Sequence, residues 1–329
     1  MMRALVYTGV EMMEMRDMPR PVASPDQSLV RVYASGLCGS DMHAYLGHDD
    51  RRPAPLILGH EAAGVVEGTG RRVTINPLVT CGTCDACKRG RDNLCPDRMI
   101  ISMPPREGAF APFVAMANAN LVTVPEHVSF EKAALAEPLA CGWHAVRLAE
   151  EAVDRPLDQA RCLVIGGGAI GVGAALALRV FGAVDITVIE PNDMRRAKLD
   201  SIDGFVAVGA GGFDGQAHLV IDAVGYAATR ADATEMAHPG GVIAHVGLGE
   251  GTGGLDVRRM TLQEITFIGT YTYTAQDFRD TAAAIFDGRL GLLDWTEQRP
   301  LSDGIAAFTD IRAGSVASPK IILIPDQEE

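Results

Sequence analysis

The chain has 329 residues, of which 47% are hydrophobic and 22% charged, which excludes a disordered protein and leaves room for two domains with separate cores. The net charge of -13 argues against a nucleic-acid-binding surface, which needs clustered Lys and Arg, and leaves small neutral or cationic substrates open. Because residues 1–7 are too short an apolar run for a signal peptide, and no stretch reaches the roughly 18 unbroken apolar residues of a membrane span, we expect a cytoplasmic protein without a membrane partner.

The beginning of the chain predicts the antiparallel start of a β-rich domain. Apolar runs at 4–7 and 28–33 have the alternation of half-buried strands, and a proline-rich polar connection at 19–25 separates them. A further strand is predicted at 62–67. The connection that follows it, at 67–73, is short and rich in glycine.

Residues 36–61 contain a candidate metal centre. Cys38, His60 and Glu61 offer a thiolate, an imidazole and a carboxylate. This ligand set suits zinc and leaves a fourth position for an exchangeable ligand, which is how catalytic zinc sites are built. A lone cysteine is more often a core or surface residue than a metal ligand. The grouping of all three ligand types within one short stretch instead favours metal binding and predicts a zinc enzyme.

Three residues beside these ligands have predicted supporting roles. Ser40 and His43 could carry a proton away from an alcohol bound to the metal, and His43 is suitable because an imidazole titrates close to neutral pH. Asp41 could orient His60 by accepting a hydrogen bond from its second ring nitrogen.

A second candidate metal site consists of four cysteines spaced Cys-x2-Cys-x2-Cys-x7-Cys, namely Cys81, Cys84, Cys87 and Cys95. Four thiolates can close a tetrahedron around one zinc and leave no position for substrate, so such a site is structural. An iron–sulfur cluster or a disulfide pair is the competing interpretation. The chain has seven cysteines, and in the cytoplasm we expect metal ligands and free thiols in preference to disulfides.

The middle of the chain predicts the crossing into a second domain. Strands are predicted at 108–114, with Phe110 as a core residue, and at 121–125, and a helix is predicted over 139–152. Glu137 precedes that helix in an apolar Ala-Glu-Pro-Leu setting, where a carboxylate is costly to bury unless it is paired.

A glycine-rich turn follows the short apolar strand predicted at 161–165. The pattern Gly-x-Gly-x-x-Gly is weak alone, but between a strand and a helix it indicates a dinucleotide-binding turn. Gly166 allows the tight turn, Gly168 lets the backbone approach a pyrophosphate, and Gly171 lets helix and strand pack closely. The helix N-terminus then faces the phosphates with its free N–H groups. The predicted cofactor contacts here are Gly166, Gly168, Ala169, Ile170 and Gly171.

The second strand of this unit, predicted at 185–190, ends in Glu190. A carboxylate at this point binds the adenosine ribose hydroxyls and repels a 2′-phosphate, so NAD is favoured over NADP. Arg195 and Arg196 are the counter-evidence, since arginines here can hold that phosphate. Another predicted strand, at 241–247, brings Val246 to the carboxyl edge, where an open sheet holds its ligand.

The remaining strands of this sheet are predicted at 219–225 and 264–269, and His218, His238 and His245 are taken as structural residues. The end of the chain predicts a helix at 275–287, a final strand at 320–325 and an acidic segment at 326–329.

These motifs, in this order, resemble the zinc-dependent medium-chain alcohol dehydrogenases. The first motif, Gly-x-Cys-Gly-Ser-Asp-x-His followed by Gly-His-Glu, is similar to that of the sorbitol, threonine and related polyol dehydrogenases. The resemblance implies an α/β protein with a GroES-like, mostly antiparallel β catalytic domain and a Rossmann domain, a doubly wound parallel sheet that binds NAD. The implied domains are 1–138, with the structural zinc lobe at 81–95, then 139–270, and 271–329 as a return to the catalytic domain.

The resemblance also implies residue roles. Glu137 would contact the catalytic zinc or its water, and whether Glu61 or Glu137 is the ligand in the resting enzyme stays open. Cys141 would lie near the nicotinamide without binding zinc, and Arg195 would pack over the adenine. Phe110 could line the substrate cleft instead of the core.

Two departures from the family are visible. The connection at 67–73 is shorter than in relatives. Animal-type sorbitol dehydrogenases also place an arginine just after the last nucleotide-domain strand, where it contacts a polyol hydroxyl, and Tyr271 occupies that position here. Sorbitol itself is therefore in doubt as the substrate.

The implied reaction is oxidation of a secondary alcohol, of the polyol, sugar-alcohol or sugar-acid class, to a ketone by hydride transfer to NAD. Zinc would stabilise the alkoxide, and the proton would leave through Ser40, the nicotinamide ribose and His43. The alternatives are an L-threonine 3-dehydrogenase-like activity, a metal-free quinone or enone reductase, and a non-catalytic NAD-binding zinc protein. Two zinc ions per chain and a homodimer or homotetramer are expected.

Overall fold

The computed structural model describes residues 1–326, so 327–329 of the predicted acidic segment lie outside the described residues. The strands of the first part are β1 (Met2–Gly9), β2 (Met12–Met18), β3 (Gln27–Gly36), β4 (Leu56–Ile57), β5 (Glu61–Val66), β6 (Arg72–Ile75), β7 (Leu78–Val79), β8 (Met99–Ile100), β9 (Phe113–Ala117) and β10 (Leu121–Thr123). The helices of this part are α1 (Gly39–Tyr45), α2 (Asp85–Lys88), α3 (Phe130–Ala134) and α4 (Ala136–Glu150).

A regular alternation of strand and helix follows. Its elements are β11 (Arg161–Ile165), α5 (Ala169–Val180), β12 (Asp185–Ile189), α6 (Asp193–Leu199), β13 (Val206–Val208), β14 (Ala217–Asp222), α7 (Ala227–Met236), β15 (Ala237–His245), α8 (Val257–Leu262) and β16 (Thr266–Gly269). The last elements are α9 (Ala275–Phe286), β17 (Thr296–Pro300), α10 (Gly304–Arg312) and β18 (Lys320–Ile324). Single 3₁₀ turns lie at Asp92–Leu94, Asn118–Asn120, Leu157–Gln159 and Leu301–Asp303.

The first and last parts of the chain share one sheet. Its strand order is β10-β6-β5-β3-β18-β17, with β9 also paired to β3, and all pairs except β17 with β18 are antiparallel. The end of the chain therefore returns to the domain in which it began. The predicted GroES-like, mostly antiparallel domain is confirmed.

The second domain contains a six-stranded parallel sheet in the order β13-β12-β11-β14-β15-β16. Strands near the middle are covered on both faces, which explains why the β11 residues Cys162, Leu163 and Val164 are fully buried. The order reverses direction between β11 and β14, and ligands of open parallel sheets bind at such a switch point. The predicted Rossmann domain is confirmed.

The predicted strand at 108–114 is wrong for its first five residues. A regular strand begins only at Phe113, because the backbone N–H groups of Gly108, Ala109 and Phe110 donate to carbonyls of residues 57–59 without forming a regular ladder. Phe110 is nonetheless a core residue with no exposed surface. Within residues 1–326, no helix has the length and apolar character needed to cross a bilayer.

Candidate active site

The three predicted ligands of the first metal centre come together in the structure. Cys38 precedes α1, while His60 and Glu61 stand where the chain enters β5. Their candidate ligand atoms all lie within 4.8 Å of one another. His60 and Glu61 are buried, and Cys38 is half-buried. A thiolate, an imidazole and a carboxylate at this separation form a donor set that suits one zinc ion.

A buried lysine holds Glu61. Lys320 Nζ donates to Glu61 Oε1 at 2.6 Å and to the Leu37 carbonyl at 2.9 Å. Glu61 Oε2 is buried without a hydrogen-bond partner in the described chain. Gly36 makes room for it, since a Cβ there would lie 1.9 Å from that oxygen. An unpaired buried carboxylate oxygen is unfavourable by itself, so it fits the role of a metal ligand.

Two groups behind the His60 ring orient it. Asp41 Oδ1 lies 3.5 Å and Ser102 Oγ 3.3 Å from Nδ1, while Ser40 Oγ lies 3.4 Å from Nε2. Burial acts to raise the pKa of Asp41, but His60 beside it holds that pKa below its ordinary value. The geometry supports the predicted role of Asp41. Ser102 was not predicted, and its backbone has a φ of 65°, which is uncommon for a residue other than glycine.

Glu137 lies next to this centre in the first turn of α4. It does not belong to the group of three ligand atoms, and its Oε1 accepts a hydrogen bond of 2.7 Å from the Tyr273 hydroxyl. Burial raises the pKa of Glu137 to about 7, and the charge of Glu61 acts in the same direction. Glu61 is thus the carboxylate grouped with Cys38 and His60. Glu137 is a neighbour of this group and not a member of it.

The centre opens into a cleft of about 320 Å³ between the two domains. Ser40 and His43 line it from the first domain, and Ile170 and Val246 line it from the second. His43 is half-buried, and burial lowers its pKa. No hydrogen bond in the described chain joins Ser40 to His43, so a proton relay needs a group between them. Cys141 also lines the cleft but lies outside the group of ligand atoms.

The glycine-rich turn has the local geometry that its motif predicts. Gly166 has a φ of 99°, which favours glycine. A Cβ at Gly171 would lie 1.8 Å from the Gly166 carbonyl oxygen, so the close approach of helix and strand requires glycine. A Cβ at Gly168 would meet open space, and that space adjoins the start of α5, where a phosphate could approach.

Glu190 connects the second strand of the domain to this turn. Its carboxylate accepts hydrogen bonds from the backbone N–H of Gly167 at 3.1 Å and of Asn192 at 2.8 Å. Arg195 Nη1 donates to it at 3.3 Å, while Arg196 Nη1 donates to the carbonyl of Glu190 at 3.0 Å. Both arginines therefore contact Glu190 in the structure.

The four predicted cysteines of the second site also meet, with their Sγ atoms within 4.8 Å of one another. Backbone N–H groups of Cys81, Cys84 and Cys87 donate to neighbouring sulfurs at 3.4 to 3.5 Å. Such bonds, beginning with that from Thr83, lower the pKa of Cys81 to about 6. The Sγ atoms of Cys81 and Cys95 are 3.5 Å apart, far beyond the roughly 2.05 Å of a disulfide. The donor set fits a structural metal ion, and all four cysteines are free in the structure, which argues against the disulfide alternative.

The lobe that holds these cysteines packs on the segment after β16. Asn93 Nδ2 donates to the Tyr271 carbonyl at 2.8 Å, and Asp92 accepts from the Ala275 backbone N–H. Tyr271 lines the cleft. The structural lobe therefore supports one wall of the candidate active site.

The chain matches two families of known proteins. Residues 24–126 match the alcohol dehydrogenase GroES-like domain, and residues 169–287 match the zinc-binding dehydrogenase domain. The first match contains both groups of candidate metal-ligating side chains, and the second covers most of the parallel-sheet domain. The protein belongs to the zinc-dependent medium-chain alcohol dehydrogenases and is an oxidoreductase of that class.

Two curated relatives illustrate the similarity. The chain is 35% identical to the sorbitol dehydrogenase of Bacillus subtilis (strain 168) over 211 residues, which cover 60% of this chain and 58% of that protein. It is 28% identical to the probable D-xylulose reductase A of Arthroderma otae over 344 aligned positions, which cover 94% of each chain.

Solved structures share the fold. A putative zinc-binding dehydrogenase from Sinorhizobium meliloti 1021, bound to NADP, superposes with a TM-score of 0.87 at 24% identity and covers 98% of this chain and 99% of its own. An acetophenone reductase from Geotrichum candidum NBRC 4597, in complex with NAD, gives a TM-score of 0.87 at 22% identity and covers 98% and 97%. At these identities the likeness establishes the fold alone.

Proposed function

We infer that the protein oxidises a secondary alcohol of a polyol or sugar acid to the ketone, with NAD as the hydride acceptor. The observation that carries this proposal is the cluster of Cys38, His60 and Glu61 at the base of a cleft that the nucleotide-binding domain also lines. The similarity to a sorbitol dehydrogenase and a D-xylulose reductase supports the polyol class.

Cys38, His60 and Glu61 would hold the catalytic zinc, with Glu137 within reach of it. Zinc bound there would supply a Lewis acid toward the substrate hydroxyl. The protein's own contribution is to fix the ligands: Lys320 holds Glu61, and Asp41 and Ser102 fix the ring of His60. Such outer contacts orient ligands and tune their basicity.

Ser40 and His43 would move the proton that the alcohol loses. Ser40 lies beside His60, and His43 lines the outer part of the same cleft. The nicotinamide ribose is the group expected between them. Ser40 would accept the proton from the substrate hydroxyl and pass it to the ribose, and His43 would release it to solvent.

The glycine turn and Glu190 would bind NAD. The pyrophosphate would lie at the start of α5, on the contacts Gly166, Gly168, Ala169, Ile170 and Gly171. Glu190 would accept hydrogen bonds from the adenosine ribose hydroxyls, with Arg195 beside the adenine. The bonds of both arginines to Glu190 support NAD over NADP.

Three further proposals concern the remaining features of the chain. Cys81, Cys84, Cys87 and Cys95 would hold a second, structural zinc. The sheet of the nucleotide-binding domain ends at β16, whose outer edge has no strand partner in the described chain. Such an edge could pair with its copy across a two-fold axis and give a homodimer or homotetramer. The free state of the cysteines supports a cytoplasmic location.

The proposal is tested by following nicotinamide reduction spectroscopically, with NAD and NADP offered against polyols, sugar acids, diols, threonine and simple alcohols. We expect NAD reduction with one polyol or sugar-acid class, abolished by a zinc chelator and restored by zinc. Preferential oxidation of threonine would move the assignment to a threonine dehydrogenase-like activity. Nucleotide binding without any turnover would contradict the enzymatic proposal and leave a zinc-stabilised NAD-binding protein.

A further inference from the structure

Two arginines line the cleft that contains the candidate catalytic centre. Arg51 and Arg52 lie in the connection between α1 and β4 and face the same space as Ser40 and His43. The chain as a whole has a net charge of -13, so a pair of guanidinium groups in its cleft is a local reversal of charge. Arginine is also the side chain best suited to bind a carboxylate or phosphate through two parallel hydrogen bonds.

Arg52 is fixed in place by the protein. Its side chain is 2% exposed, its Nε donates to the Ser102 carbonyl at 3.0 Å, and its Nη1 donates to the Ser40 carbonyl at 3.2 Å and to Asp49 Oδ2 at 2.8 Å. Within the described chain, Nη2 forms no hydrogen bond and is not among the buried unpaired atoms. A buried, rigid guanidinium thus keeps one nitrogen free at the wall of the cleft.

Arg51 is the exposed partner. Its side chain is 60% exposed, and its Nε and Nη2 both donate to the Asp49 carboxylate, at 2.7 and 3.0 Å. These two parallel hydrogen bonds fix the orientation of the guanidinium group and leave Nη1 without a hydrogen bond in the described chain. Asp49 raises the pKa of Arg51, and Tyr271, which lines the cleft as well, acts in the same direction.

The charges around this pair do not cancel. Asp49 is the carboxylate that both arginines contact, so the group Arg51, Arg52 and Asp49 keeps one positive charge. Asp41 also interacts with the charge of Arg52, but it is fully buried against His60 and does not line the cleft. Burial and the charge of His48 lower the pKa of His43, so the positive charge at this wall of the cleft comes from the arginines and not from His43. A neutral polyol makes no use of a surplus guanidinium charge, whereas an anionic substrate does.

We propose that the cleft binds a substrate that carries an anionic group, a carboxylate or a phosphate, on Arg51 and Arg52 while its secondary alcohol faces the catalytic centre. The proposal rests on the proposed dehydrogenase function and names its substrate class: sugar acids or sugar-alcohol phosphates in place of neutral polyols. It also supplies a positive group in a cleft in which Tyr271 replaces the polyol-binding arginine of animal-type relatives.

The test uses substrates matched in configuration: a sugar alcohol, the corresponding sugar acid and the corresponding sugar-alcohol phosphate. For each, kcat/KM and the KM for NAD are measured with the wild type and with Arg51→Gln. Arg51 is chosen because Arg52 also supports Ser40 and Ser102, so that its loss would affect every substrate. Arg289→Gln is the matched control, since Arg289 is exposed and paired with an aspartate two residues away, Asp287, outside the cleft.

We expect one of the two anionic substrates to be preferred by the wild type, and which one distinguishes carboxylate from phosphate. Arg51→Gln should lower kcat/KM for that substrate by about 10- to 100-fold, the loss typical of a hydrogen bond to a charged group. The value for the neutral alcohol should change by less than about threefold, and Arg289→Gln should leave all values unchanged. Arg51→Lys should recover part of the loss, because it restores charge without the planar fork.

Two outcomes would overturn the proposal while leaving the dehydrogenase function intact. One is that the wild type prefers the neutral alcohol, and the other is that Arg51→Gln lowers kcat/KM equally for neutral and anionic substrates. A higher KM for NAD with every substrate would assign Arg51 to the cofactor instead. If no alcohol is oxidised, the dehydrogenase function fails, and calorimetric titration of the sugar acid into the wild type and Arg51→Gln then decides. Binding weakened by the substitution would support an anion site, and absence of binding would overturn it.

Discussion

Lys320, far along the chain, contacts Glu61, the carboxylate that we propose as a zinc ligand. Both side chains are buried, and the ammonium group is the positive partner of Glu61 Oε1. Removing one member of a buried ion pair leaves the other charge uncompensated. Lys320→Met should therefore reduce the free energy of unfolding by about 3–5 kcal/mol in the zinc-free protein.

The loss should be smaller in the zinc-loaded protein, because the metal ion then compensates Glu61. Urea unfolding with and without a chelator measures both values, and Lys320→Arg is the control that keeps the charge. An equal loss in both states would mean that Glu61 does not face the metal ion.

Glu190 is the residue that we propose decides the preference for NAD. It is buried and anchored by the backbone N–H groups of Gly167 and Asn192. Glu190→Ala should lower kcat/KM for NAD by about 10- to 100-fold, since the hydrogen bonds that the ribose hydroxyls donate to a charged carboxylate are lost. It should also free Arg195, so that kcat/KM for NADP falls less or rises. Steady-state kinetics with both cofactors checks this, and a parallel loss for the two would contradict the assigned role.

At the level of residues, what the sequence could predict was local. Cys38, His60 and Glu61, like the four cysteines of the lobe, carry their chemistry in short motifs. Lys320 lies 259 residues from Glu61, Tyr273 lies 136 from Glu137, and Ser102 lies 42 from His60. No spacing rule connects such pairs, because only the folded sheet brings them together.

A buried charge cluster joins α4 to α9. Asp277 accepts hydrogen bonds from Arg147 and Thr274 at 2.7 Å each, and its Oδ2 lies 2.7 Å from His144 Nδ1. Burial acts to raise the pKa of Asp277, but these three partners lower it well below its ordinary value. A carboxylate with a depressed pKa stabilises the fold above its unfolded pKa of about 3.9 and loses this contribution as the pH falls.

Asp277→Asn should therefore destabilise the protein near neutral pH by about 3 kcal/mol. The difference between variant and wild type should narrow as the pH falls below about 4, because the wild type then loses its ionised carboxylate. Unfolding followed by circular dichroism across this range measures both. A difference independent of pH would show that packing, and not charge, carries the effect.

The cysteine lobe is an element whose order should depend on its metal ion. Its α2 has only four residues, too few for a stable isolated helix, and the lobe packs on the segment that carries Tyr271. Cys84→Ser should remove one zinc ion per chain and increase hydrogen exchange in both segments. Metal analysis with hydrogen–deuterium exchange checks this, with Cys162→Ser as a control in which both zinc ions should stay bound. Unchanged exchange in Cys84→Ser would contradict the docking role.

Strand predictions were correct where a buried apolar segment also pairs with neighbouring strands in a regular ladder. The run at 161–165 became β11 with its predicted bounds, since a central parallel strand is apolar throughout. The run at 108–112 is also largely apolar, but its backbone N–H groups donate to the last residue of the two-residue strand β4 and to the two residues after it, without forming a regular ladder. An apolar pattern indicates that a segment is buried, but it does not indicate whether the segment can pair with a neighbouring strand.

At the scale of the whole molecule, the site exists only because two domains meet. The ligand cluster and the arginines belong to the first domain, while Ile170 and Val246 bring the nucleotide-binding domain to the other side of the cleft. The sequence predicted both domains and their order through motifs. It did not predict the charge of the cleft. Arg51 and Arg52 belong to no motif, and only the fold shows that they line the cleft.

The most direct measurement of the central claim is zinc content and alcohol-dependent NAD reduction in the wild type and in Cys38→Ser. We expect two zinc ions per wild-type chain, one for each group of candidate ligating side chains. Cys38→Ser should keep the structural zinc, remain folded, lose the other zinc and lose turnover. A folded Cys38→Ser protein with near-normal turnover, or with undiminished zinc, would contradict the account.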